Sequence, residues 1–210
     1  MDERRVTFTS ETLTLEGLLT MPSGNPVRGG VVCHPHPLYG GTMYNNVVEA
    51  VLEAMWRLGW ATLRFNFRGV DDSEGEHSGG LGEAEDARAA VDFLTSQTGV
   101  RPDGAILAGY SFGAMASTRA AARIGQLGGL VLVALPLRMI DQTALTTFSQ
   151  PIILTAGDRD MYCPVVELKA LHQELAGRAQ LAIIAGADHF FGGYEAELSD
   201  HLTAMMNPWR

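Results

Sequence analysis

Short apolar runs alternate along this chain with longer segments whose apolar residues recur every three or four positions. Gly29 to Cys33, Trp60 to Phe67, Gly104 to Ala108, Gly129 to Leu135, Ile152 to Ala156 and Leu181 to Ala185 are mostly apolar. Runs of this kind predict strands covered on both faces. Between them, Asn45 to Leu58 places Val47, Val48, Val51, Leu52, Met55 and Leu58 at helical spacing, and Gly59 marks its stop. Glu83 to Thr95 predicts a second helix, with acidic residues in the first turn where the helix dipole favours them. Further helices are predicted over Ala114 to Ala121, Val165 to Ala176 and Tyr194 to Met206. Two strands at the start, Val6 to Thr9 and Leu13 to Leu19, read as a hairpin, and Gly69 to Gly82 as the longest polar loop. An antiparallel start followed by repeated strand–helix alternation predicts an α/β fold: a mostly parallel sheet with helices on both faces, in a single domain over 1–210.

Composition narrows the partners. Hydrophobic residues make up 46% of the 210, which is a globular proportion, and the formal net charge of −9 argues against nucleic acid or an anionic membrane. Two cysteines make no disulfide framework. Cys33 ends an apolar run and reads as a small core residue, whereas Cys163 sits in a loop and is expected to be partly exposed. The first residues show no signal-peptide core and no apolar run reaches about 18 residues, so a soluble cytoplasmic protein is expected.

The candidate chemistry begins at Gly109-Tyr110-Ser111-Phe112-Gly113, a G-x-S-x-G pentapeptide between a buried strand and a small-residue helix. A serine on such a turn is held in a strained backbone position with its hydroxyl exposed, and the flanking glycines avoid collision with strand and helix. A serine hydroxyl needs a base, and the base needs an orienting carboxylate. In this fold type the two partners follow the serine in the order acid, then histidine, on loops after strands. Ile152 to Ala156 is followed by Gly157-Asp158-Arg159-Asp160, and Leu181 to Ala185 by Gly186-Ala187-Asp188-His189. His189 is therefore the candidate base. His34 and His36 precede the serine, His77 lies in the polar loop, and His172 and His201 fall inside predicted helices.

Asp160 is preferred over Asp158 as the acid, because the loop has travelled further from its strand by then. Asp158 is expected to bond the backbone of its own turn, and Asp188 to shape its loop. For the oxyanion, one backbone N–H is expected from Phe112 and a second from the loop after Cys33. Pro35 and Pro37 have no N–H, which leaves His36, with Leu38 as the fallback. The competing reading of His34 and His36 as metal ligands is weak, since no Cys or acidic residue adjoins them.

With these residues placed, the chain resembles the α/β-hydrolase superfamily, and within it the small lidless bacterial serine hydrolases related to dienelactone-hydrolase-like proteins. The segments that carry the likeness are HPHPLYGGTMYNN (34–46), LRFNFRGVDDSEG (63–75), GEAEDA (82–87), GYSFG (109–113), GDRD (157–160) and GADHFF (186–191). The resemblance implies an eight-stranded sheet, an acyl-serine intermediate, and the last position of G-x-x-D, here Asp160, as the carboxylate. Asp71-Asp72 departs from it, since many relatives carry Gly or another small residue there. Only Pro136 to Pro151 separates the sixth and seventh strands, room for one helix near Met139 to Phe148 and not for a cap domain.

The expected site is then open, bordered by Leu38 to Gly41 and by Phe190-Phe191. These features together point to a serine esterase acting on a small-molecule ester, without metal or organic cofactor. A thioesterase or a peptidase would use the same residues, and a non-catalytic module that kept the fold is the alternative from another class. Nothing in the sequence identifies an oligomeric interface.

Overall fold

The computed structural model describes residues 2–209. Its strands are β1 (Asp2–Ser10), β2 (Leu13–Met21), β3 (Gly29–Cys33), β4 (Ala61–Phe65), β5 (Ala105–Tyr110), β6 (Gly129–Val133), β7 (Ile152–Gly157) and β8 (Ala179–Ile184). They form one sheet in the order β1-β2-β4-β3-β5-β6-β7-β8. The β1–β2 hairpin joins β4 antiparallel, and every other pairing is parallel. Each residue of β3, β4, β5, β6 and β7 is buried, which is why these stretches lack a polar face in the sequence.

Among the described residues six α-helices accompany the strands: α1 (Asn46–Arg57), α2 (Leu81–Thr98), α3 (Phe112–Ala121), α4 (Thr143–Thr147), α5 (Val165–Glu174) and α6 (Glu195–Met206). The pleat sends alternate side chains to opposite faces, so each inner strand feeds two cores. Leu130 and Leu132 of β6 pack with α2, α3 and α5 on one face, while Val131 and Val133 pack with α1 and α6 on the other. Because the strands from β3 onward run the same way, the loops after β3, β5, β7 and β8 open along one edge. The chain order reverses beside β3, between β4 and β5, and such switch points leave a crevice at the carboxyl ends of the strands.

Several expectations are corrected. The helix expected near Met139 to Phe148 is instead a 3₁₀ turn at Leu137–Met139 followed by the short α4. Leu137 and Leu145 are both buried, and Asp141 Oδ1 accepts from Thr143 N–H at 2.9 Å, so the segment is restarted by a polar turn between two anchors. Cys163 is fully buried, because the loop that carries it folds inward onto Asp160. Asp71, the first of the two residues that depart from the resemblance, sits at φ 46°, where glycine is favoured and Asp is among the better-tolerated alternatives. Its Oδ2 accepts from Asn66 Nδ2–H at 3.0 Å, which ties the strained turn to a buried amide.

Candidate active site

The turn from β5 into α3 places Ser111 at φ 54°, ψ −116°, a conformation that costs about 1–3 kcal/mol and persists only where the surroundings enforce it. Here they do. The Ser111 N–H donates to the Val133 carbonyl at 2.9 Å, and the Met115 N–H returns to the Ser111 carbonyl at 3.1 Å. A Cβ at Gly109 would collide with the Gly113 backbone, and one at Gly113 with the Cys33 and His34 carbonyls. The two glycines therefore let α3 start directly against β5 and against the loop after β3.

From Ser111 a hydrogen-bonded chain runs across the loops after β7 and β8. His189 Nε2 lies 2.9 Å from Ser111 Oγ, and His189 Nδ1 lies 2.8 Å from Asp160 Oδ2. An ionised carboxylate only accepts, so the ring proton belongs on Nδ1 and leaves Nε2 free to accept from the serine. The other oxygen of Asp160 accepts from Tyr162 N–H at 2.8 Å and Cys163 N–H at 2.9 Å, which fixes the carboxylate's orientation. Asp160 and His189 are both buried.

The neighbouring acids are used differently. Asp158 was expected to bond its own turn. Its Oδ1 instead accepts from Gly186 N–H at 2.7 Å, on the loop that carries His189. Asp188 Oδ1 accepts from Phe190 N–H at 2.9 Å within the histidine loop. Sequence reasoning passed over Tyr110. Its hydroxyl donates to the His189 carbonyl at 2.8 Å, clamping the histidine loop to the strand that delivers the serine. Burial, followed by the fields of Asp160 and Asp188, raises the Tyr110 phenol pKa, so the hydroxyl stays protonated and able to donate. The only sequence signal for this role was an aromatic residue with a polar tip beside the serine.

On the opposite side, Pro37–Tyr39 forms a 3₁₀ turn capped by His36. The Leu38 N–H donates to His36 Nδ1 at 3.2 Å and is already occupied. Among the described residues no partner is found for the N–H of His36 or of Phe112, the first residue of α3. The His36 and Phe112 rings lie 4.8 Å apart, which brings the two segments together beside Ser111. His34 does not share the site: Nε2 accepts from Phe67 N–H at 3.0 Å and Nδ1 donates to the Pro35 carbonyl at 2.7 Å. Both ring nitrogens are thus engaged by the backbone, and burial lowers the His34 pKa to about 4.

Ser111 and His189 line a cleft of about 520 Å³ with Tyr39, Phe112, Tyr162 and Phe190 around them. Of the expected border residues, Tyr39, Gly40, Gly41 and Phe190 line it, whereas Phe191 is buried in the core against Tyr110. No helix among the described residues is long and apolar enough to cross a membrane.

Comparison with known proteins agrees with this architecture. A family model described as "Alpha/beta hydrolase domain" matches residues 38–207. An α/β serine hydrolase homologue from Coxiella burnetii is 34% identical, with a TM-score of 0.89 over 98% of each chain. A lidless serine hydrolase from Xanthomonas campestris is 28% identical, with a TM-score of 0.87 over 99% of this chain and 95% of its own. A protein of Rickettsia prowazekii is 34% identical over 169 residues, 77% of this chain and 71% of the relative.

Proposed function

The chain belongs to the α/β-hydrolase domain family, and on that premise we propose that it cleaves carboxylic esters through an acyl-serine intermediate. The observation that supports this reading is the aligned Asp160–His189–Ser111 chain at the wall of an open cleft. Ser111 Oγ attacks the carbonyl carbon while its proton passes to His189 Nε2. Asp160 holds the proton on Nδ1 and stabilises the imidazolium that forms. The backbone N–H groups of His36 and Phe112 receive the developing oxyanion, where donors already in place need no reorganisation. The alkoxide leaves with the proton from His189, and water then attacks the acyl-serine by the same route in reverse order.

The test is turnover of 4-nitrophenyl esters from acetate to palmitate, with Ser111→Ala alongside and a fluorophosphonate probe as a separate readout. Wild-type turnover that the variant loses by roughly 10⁴-fold or more supports the reading. A wild-type chain that neither turns over esters nor takes the probe at Ser111 overturns it.

A further inference from the structure

The cleft has a lining without charged side chains, which the reaction scheme does not require. None of its lining residues is an Asp, Glu, Lys or Arg, and its polar atoms come from Ser111, His189, His36, Asn45, the tyrosines and the backbone. Charged groups of both signs stand behind the lining. Asp160 lies behind His189, Asp188 shares the histidine loop, and Glu83 is buried close enough to act on His36. Among the cations nearby, Arg138, next to Met139, is paired with Glu167, whereas Arg119, one turn along α3 from Met115, bonds the Gly79 carbonyl, and neither these two nor Arg159 on the acid loop lines the cleft. The chain's net charge is −9.

The rim completes the picture. Tyr39 is 86% exposed, Phe190 64%, Met139 61% and Tyr162 56%, and all four line the mouth. Large apolar side chains gathered round one opening mark a surface that is covered by a ligand in use. An alkyl or aryl group entering there is removed from water against aromatic faces. A carboxylate or phosphate entering there gives up its hydration with no cation in the lining to meet it.

We propose that this cleft selects uncharged, apolar esters and rejects esters that carry a carboxylate or phosphate within a few bonds of the reacting carbonyl. The inference rests on the ester-hydrolase reading and names its substrate class. Highly anionic acyl thioesters, whose leaving group carries several phosphates, fall on the rejected side.

Matched pairs test it. 4-Nitrophenyl hexanoate and mono(4-nitrophenyl) adipate have the same acyl length and differ by a terminal carboxylate. The neutral ester is expected to have the higher kcat/KM by roughly 30-fold or more. A ratio within about threefold overturns the proposal while leaving the serine hydrolase intact. Calorimetric binding of hexananilide and of the monoanilide of adipic acid to Ser111→Ala reads the same discrimination without turnover. Preference for the neutral anilide supports the proposal even if ester hydrolysis fails. Equal binding, or no measurable binding of the neutral anilide, counts against it. Met139→Lys adds a cation at the mouth and is expected to shift the kcat/KM ratio about tenfold toward the adipate ester. An unmoved ratio would overturn the electrostatic account.

Discussion

Two histidine–carboxylate contacts in this molecule stand at the same distance of 2.8 Å, and only one has catalytic geometry. His189 Nδ1 stands 2.8 Å from Asp160 Oδ2, aligned for a hydrogen bond, with Nε2 turned to Ser111. His77 Nδ1 also stands 2.8 Å from Glu83 Oε1, but without hydrogen-bond alignment. Glu83 is already engaged: it accepts from Ser78 N–H, Ser78 Oγ–H and Gly80 N–H, and so caps the start of α2. The His77 ring packs against His36 at 4.9 Å and Phe112 at 5.3 Å. A short contact between an imidazole and a carboxylate therefore does not make a base. What separates the pairs is whether the carboxylate keeps an oxygen for the ring and where the second ring nitrogen points.

The largest effect that sharpens this contrast is expected at Asp160. Asp160→Asn should lower kcat by about 10³- to 10⁴-fold, because the amide can donate to Nδ1 and favour the wrong tautomer. Asp158→Asn should cost no more than about tenfold, since an amide oxygen can still accept from Gly186 N–H. Steady-state kinetics on both variants decide the matter, and the reverse order would reassign the acid.

A third histidine supplies the next effect, on stability. Burial lowers the His34 pKa to about 4 from an ordinary value near 6.5. Above pH 6.5 the imidazole is neutral in both folded and unfolded chains. As pH falls from 6.5 to about 4 the unfolded chain takes up the proton first, so stability is lost across that window. The loss from this residue approaches about 3 kcal/mol. Urea unfolding at stepped pH should show it, and His34→Gln should flatten that part of the profile; an unchanged slope would locate the acid sensitivity elsewhere.

Smaller effects belong to the supports. Tyr110→Phe removes the donor to the His189 carbonyl and should lower kcat about three- to tenfold with little change in KM, by loosening the histidine. Slower fluorophosphonate labelling of Ser111 at unchanged Tm would separate positioning from a loss of stability. His77→Gln should change kcat by less than about threefold, since His77 touches no atom of the proposed reaction. A loss on the scale of Asp160→Asn would abolish the distinction between the two pairs.

Ser111, Asp160 and His189 could be picked from the sequence because each lies just beyond an apolar run, and parallel strands deliver their following loops to one edge. The same reading of local sequence singled out Phe112 as the residue after the serine and His36 as the one with an N–H between Pro35 and Pro37. It failed where a residue's role depends on a partner distant along the chain. Asp158 and Gly186 are 28 residues apart, and Tyr110 and His189 are 79 apart. Phe190 and Phe191 are adjacent and chemically alike, yet one lines the cleft and the other fills the core. Cys163 lies in a loop as expected, but the path of that loop buries it.

The amino-acid sequence by itself determined the alternation of strands and helices, the two-faced burial of the inner strands and the chain order of serine, acid and histidine. These follow from local periodicity and from glycines and prolines acting on their own backbone. Tertiary structure decided which carboxylate meets which imidazole, which N–H groups remain unpaired beside Ser111, and that no cation lines the cleft. Those outcomes depend on strand register and loop direction, where a displacement of one residue turns a side chain to the other face.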